Sequence, residues 1–141
     1  MLKTRLTHPT ILAALAGAGH GAKVLIADGN YPFSTASNPN AELVYLNLTP
    51  GIPTVLDVLK AVLGVVPIEA AEVMEPIGEQ PPPLYDEFRA QLPEGVHLTM
   101  LERLLYYDAA RSDDLALVIA TGDPMLAVNI MLTIGVIHPP A

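Results

Sequence analysis

The chain has no cysteine and no tryptophan, only two phenylalanines, and seven basic residues against fifteen acidic ones. Each shortage excludes something. Without cysteine there are no disulfides, no thiolate metal ligands and no thiol nucleophile. Such a chain fits a reducing compartment, and a cytoplasmic location is the expectation. A net charge of −8 offers no basic patch to nucleic acid or to an anionic membrane. Aromatic residues, at 5%, leave few rings for bases to stack on. No apolar run reaches the ~18 residues of a membrane span. Lys3, Arg5 and "ILAALAGAG" imitate a short secretory signal. "THPT", however, puts Pro9 at the first position of a helix capped by His8 or Thr7, so 9–16 reads as a helix stopped by Gly17 and Gly19.

Apolar residues are abundant: 51% are hydrophobic and 16% charged. A chain of 141 residues makes one domain, 1–141, able to bury about two-thirds of its unfolded surface. The apolar excess suits a subunit interface; a densely packed monomer core would use it as well.

The pattern alternates between strands and helices. Lys23–Ala27 is a buried strand ending at Asp28, and "ELVYLNL" alternates as a second strand. "TPGIPTVLDVLKAVLG" is a helix with Val55, Leu56, Leu59, Val62 and Leu63 on one face. "IEAAEVMEPI" is ambiguous: its glutamates recur every three residues, as on a helix face, between Pro67 and Pro76. "LYDEFRAQL" and "ERLLYYDAAR" read as helices, and "GVHLTML" and "LALVIAT" as strands. "TGDPMLAVNIMLTIG" reads as a strand-to-helix junction, with Asp123 capping, Pro124 opening and Gly135 closing the helix. "VIHPP" adds an edge strand. This order predicts a three-layer α/β/α domain on a mostly parallel or mixed sheet.

Several chemistries are missing. Gly17, Gly19 and Gly21 end a helix and open a strand, the reverse of a dinucleotide fingerprint, and Ala22 stands where a third fingerprint glycine would fall. There is no phosphate-binding GxxxxGK[ST], no HExxH and no GxSxG. His8, His20, His97 and His138 are scattered, so no metal site is expected. Polar groups do stand where α/β sheets bind ligands, at carboxyl ends of strands. Asp28 ends one strand, Thr121-Gly122-Asp123 ends another, and Asn129 follows on the second turn of the expected helix. Taken singly, Asp28 reads as a turn residue, Asp123 as a cap, Asn129 as a surface amide and His20 as a loop histidine.

Together they point further. "MLKTRLTHPTILAALAGAGHGAKVLIADGNYPF" resembles the start of the ribose pyranase/fucose mutarotase family, and "GIPTVLDVL", "IEAAEVMEPI" and "VIATGDPMLAVNIMLTIGV" resemble later family segments in the same order. The resemblance implies the family fold and an enzyme that equilibrates sugar ring forms without a cofactor. It implies His20 as the acid/base catalyst and Asp28 and Asn129 as sugar ligands. Arg103 stands where fucose-type members carry arginine and ribose-type members tend to carry histidine, which favours L-fucose or a similar sugar. A ribose-type pyranase, a non-catalytic sugar-binding oligomer and a purely structural oligomer are the alternatives. One departure is clear: family members usually carry Tyr two residues before the asparagine, where this chain has Ala127. Tyr31, Tyr106 and Tyr107 are candidates to replace that ring.

The chemistry suits these residue types. Mutarotation moves a proton off the anomeric hydroxyl and one onto the ring oxygen, then reverses both steps. Histidine, with an unperturbed pKa of ~6.5, works in both directions. Asp28 accepts sugar hydroxyls and Asn129 donates and accepts. Arg103 donates but is no base. Spacing adds a constraint. His20 precedes strand 23–27 and Asp28 follows it, and five strand residues span ~16 Å. A monosaccharide does not bridge that distance. Either the glycine loop folds back along the strand or the two residues serve one site from neighbouring subunits. The second is the expectation, in line with the ring-like homo-oligomers that the resemblance implies.

Overall fold

The apolar runs Val24–Ala27 and Leu117–Ala120 lie side by side near the middle of one sheet, buried on both faces. A computed structural model describes residues 1–141. The elements are α1 Pro9–Ala18, β1 Lys23–Ala27, β2 Glu42–Tyr45, α2 Val55–Leu63, β3 Ile68–Met74, α3 Leu84–Gln91, β4 Leu98–Leu101, α4 Arg103–Ala110, β5 Leu115–Ala120 and β6 Ile130–Ile134. No helix is long and apolar enough to cross a membrane.

The strand order is β2-β5-β1-β6-β3-β4. β5 is parallel to β1 and β2, β3 is parallel to β4, and β6 runs antiparallel to both β1 and β3. All strands except β6 therefore point one way. Their carboxyl ends share one edge of the sheet. β6 starts at that edge and finishes at the other.

Helices α1, α2 and α3 cover one face, where Ile11, Val55, Leu59, Tyr85 and Phe88 pack on Val24, Ile26, Leu117, Ile119, Ile130 and Leu132. Helix α4 and the loop after β1 cover the other, where Tyr31, Ala36, Tyr106 and Ala110 pack on Leu25, Ala27, Val118 and Met131. This is the three-layer α/β/α arrangement on a mixed sheet that the sequence predicts. Caps fix the helix starts. The His8 ring accepts the Ile11 N–H at 3.3 Å. Thr54 and Asp57 form a reciprocal capping box on α2.

Three expectations fail. Residues 124–135 do not form a helix capped by Asp123: Ile130–Ile134 is strand β6, and Asn129 stands just before it. A strand buried on both faces reads as an unbroken apolar run, with no period of two to tell it from a helix. Ile130, Met131, Leu132 and Ile134 are all buried. Asp123 caps a different helix, its Oδ2 accepting the Val55 N–H of α2 at 3.1 Å. Residues 136–140 form no edge strand, since Pro139 and Pro140 have no N–H for a ladder. The second strand stops at Tyr45 rather than at Leu48. The ambiguous segment resolves as β3, between β6 and β4.

Candidate functional site

The common direction of the parallel strands explains what meets at their carboxyl edge. Asp28 follows β1, Met74 ends β3, Arg103 comes just after β4, and Asn129 leads into the antiparallel β6. Residues far apart in sequence thus reach one cleft of about 140 Å³, lined by Asp28, Met74, Arg103, Tyr107, Ala127 and Asn129 among others.

Asp28 and Asn129 are both buried and interlocked. The Asp28 N–H donates to Asn129 Oδ1 at 2.7 Å. Asp28 Oδ1 accepts the Asn30 N–H at 2.9 Å, and Oδ2 accepts the Val128 N–H at 3.1 Å. Each carboxylate oxygen keeps lone-pair capacity for a ligand hydroxyl. Asn129 faces a ligand mainly as an NH₂ donor, because its oxygen is already engaged. Burial raises the Asp28 carboxyl above its ordinary value; backbone donors oppose the shift, and the nearby Asp123 charge adds to it.

Arg103 is the first residue of α4, whose start is held by Glu102 accepting the Leu104 and Leu105 N–H groups. Its guanidinium lies 5.6 Å from the centre of the Tyr107 ring, and Arg111 lies 5.8 Å from the same ring. Of the three tyrosines proposed to replace the family ring, Tyr31 and Tyr107 line the cleft. The Tyr31 hydroxyl is engaged with Ala36 O at 2.7 Å. Tyr106 is fully buried under the sheet. Tyr107 is therefore the ring best placed to meet a ligand.

Ala127 has φ 57°, a left-handed backbone unusual for a residue with a Cβ. Tyr85 supports it from below: its hydroxyl lies 2.8 Å from Ala127 O and 2.6 Å from Met74 O. Burial pushes the Tyr85 phenol up to about 12. Sequence reading missed Tyr85, because an aromatic on a helix face carries no sign of which carbonyl it will meet.

A second cleft of about 530 Å³ adjoins the first through Asn30 and has no hydrophobic lining residue. Its buried members are engaged with the fold. Thr121 Oγ1 donates to Ala27 O, and both Asp123 oxygens accept backbone N–H groups. The smaller cleft is the one that brings Asp28, Arg103 and Asn129 together.

His20 is not in either cleft. It precedes β1, at the opposite edge of the sheet, and its Nε2 lies 3.0 Å from Glu69 Oε2. Asp28, Arg103 and Asn129 thus come together within one chain, and His20 stands apart from them.

Comparison with known proteins fits this architecture. A family model described as the RbsD / FucU transport protein family matches residues 1–137. The chain belongs to this family. D-ribose pyranase of Variovorax paradoxus (strain S110) is 36% identical to it, covering 96% of this chain and 98% of that protein. FucU from Bifidobacterium longum superposes with a TM-score of 0.79 at 29% identity, over 93% of this chain and 95% of that one. Bacillus subtilis RbsD, solved with D-ribose, gives a TM-score of 0.82 at 22% identity, over 98% and 100% of the two chains, a likeness of fold. In this RbsD/FucU chain, Ala127 forms a small, left-handed corner of the cleft.

Proposed function

We propose that this chain is a sugar isomerase: a cofactor-independent mutarotase that interconverts the anomers of a monosaccharide such as L-fucose. The observation that carries the reading is the convergence of Asp28, Arg103 and Asn129 on one small cleft beside Tyr107. About 140 Å³ is well below the ~300–1,000 Å³ of drug-sized sites, a scale suited to a single sugar ring. The charged and amide groups match ring hydroxyls. Met74, Ile77, Leu126 and Ala127 give the same cleft an apolar side. That side suits the methyl group of a 6-deoxy sugar, which D-ribose lacks.

In the reaction the base removes the proton of the anomeric hydroxyl, its electrons form the C1=O bond, the C1–O5 electrons move to the ring oxygen, and that oxygen takes up a proton. Rotation about C1–C2 and the reverse steps give the other anomer. His20 is the acid/base group, exchanging the proton at one sugar oxygen while solvent balances the other. General acid/base catalysis contributes ~10²–10⁴-fold, sufficient for a reaction that already proceeds in water.

His20 reaches the cleft from a neighbouring subunit in this reading. Two observations support it: His20 and Asp28 lie at opposite sheet edges, and exposed Leu48, Ile52, Ile77, Leu104, Met125 and Leu126 crowd the loops around the carboxyl edge. An apolar rim of this kind marks a contact surface.

The experiment is saturation-transfer NMR between the α and β anomers of L-fucose, with wild-type protein and with His20→Ala. Acceleration by the wild type alone is expected. A ribose-type pyranase is the second reading, favoured by the 36% identity to D-ribose pyranase. Faster pyranose–furanose exchange of D-ribose than anomer exchange of L-fucose would select it. Sugar binding without acceleration of either would leave a binding protein.

A further inference from the structure

His20 sits between two glycines in left-handed backbone, Gly19 at φ 79° and Gly21 at φ 83°. A side chain at either position would meet no neighbour, so the backbone angle is what calls for glycine. Three segments are stitched together around this loop. The Gly21 N–H donates to Ile134 O and the Ile134 N–H to Ala22 O, both at 2.9 Å, and the Gly135 N–H donates to Pro67 O at 2.8 Å. The start of β1, the end of β6 and the start of β3 therefore form one frame.

Glu69 belongs to that frame. The β3–β6 register shifts between Ile68 and Ala70, leaving Glu69 outside the ladder. Bulges of this kind re-aim a side chain. A Cβ at position 135 would lie 3.3 Å from Glu69 Cβ, so Gly135 leaves room for it. Both Glu69 oxygens then face one atom of the ring: His20 Nε2 lies 3.1 Å from Oε1 and 3.0 Å from Oε2. Lys23, three residues after His20, pairs with Glu72 instead, at 3.7 Å.

A carboxylate only accepts hydrogen bonds, so Nε2 carries the hydrogen in this pair. Nδ1 has no partner in the chain. We infer that Glu69 is the positioning residue for His20: it fixes the Nε2–H tautomer and ring direction, and so makes Nδ1 the atom that trades protons with the sugar. The inference rests on the mutarotase reading above. The physical gain is twofold. A flexible exposed ring, with 57% of its side chain accessible, is held in one orientation, and the imidazolium formed in mid-reaction faces a carboxylate.

The test compares wild type with Glu69→Ala, Glu69→Gln and Glu69→Lys, by long-range ¹H–¹⁵N correlation of the His20 ring and by sugar anomer exchange. Wild type and Glu69→Gln, whose amide oxygen still accepts, should show protonated Nε2 and bare Nδ1. Glu69→Lys, which donates to Nε2, should invert the tautomer. Glu69→Ala and Glu69→Lys should lose on the order of tenfold or more in kcat with KM unchanged, and Glu69→Gln should restore most of it. Wild-type kcat in Glu69→Ala, or an Nδ1–H tautomer in the wild type, would overturn the inference. Wild-type protein that accelerates no sugar exchange would overturn the mutarotase reading instead, and the ring signals alone would then decide the pairing.

Discussion

Asp28 and Asn129, 101 positions apart, hold each other at the carboxyl edge of the sheet: the Asp28 N–H donates to Asn129 Oδ1 at 2.7 Å. The reciprocal tie, Val128 N–H to Asp28 Oδ2 at 3.1 Å, locks the end of β1 to the approach to β6. The two proposed sugar ligands are thus also structural partners.

Asn129→Ala should therefore cost both stability and binding. It leaves the buried Asp28 N–H without an acceptor, a loss of about 1–3 kcal/mol. Urea unfolding should show that loss, and sugar affinity should fall with it. A variant with wild-type stability would mean that water replaces the amide.

Asp28 should make sugar binding pH-dependent. Its carboxyl is raised from the ordinary 3.8 by burial, against the backbone donors of Asn30, Val128 and Tyr31. The ionised form accepts hydroxyls, so affinity should weaken as pH falls through the raised value, and Asp28→Asn should flatten that dependence. Stability runs the other way. The folded state holds this proton more tightly, so the Asp28 contribution to stability declines as pH rises from 3.8 to the raised value. Calorimetric titration with sugar at a series of pH values reads the first effect, and urea unfolding at the same values reads the second.

A site shared between subunits should complement. His20→Ala and Asn129→Ala should each be inactive alone. Refolded together they should regain activity, because some interfaces join an intact His20 to an intact cleft. The double variant in one chain should stay silent. A mixture that regains nothing would place His20 and the cleft in the same subunit.

Two buried tyrosines should respond to loss of the hydroxyl with opposite signs. Tyr85 Oη contacts Met74 O and Ala127 O at 2.6 and 2.8 Å, so Tyr85→Phe should lose about 1 kcal/mol and loosen the Ala127 corner. Tyr106 Oη is buried without a partner, so Tyr106→Phe should be neutral or stabilising by about 1 kcal/mol. Thermal unfolding of the pair checks both.

Local chemistry made much of this legible in advance. Pro9 after His8 marks the start of α1, and the apolar face of Val55, Leu59 and Val62 marks α2 as a helix. Val24–Ala27 reads as a buried strand in any register. The resemblance singled out Asp28, Arg103 and Asn129, which the structure gathers into one cleft. β6 was not legible. "NIMLTIG" carries the same apolar signal whether it is a buried helix or a central strand, and Asp123-Pro124 imitates a helix start.

The amino-acid sequence by itself determined the class of fold, the start of the first helix and the residue types available for acid/base work, because capping, turn chemistry and apolar patterning act over a few residues. Only the tertiary structure decided which of those residues meet. Arg103, Asn129 and Asp28 share a cleft because β6 runs against its parallel neighbours and brings Asn129 to their carboxyl ends. His20 meets Glu69 because β6 finishes at the other edge and ties the loop before β1 to the start of β3. Strand direction is set by long-range hydrogen bonding, and no short stretch of sequence encodes it.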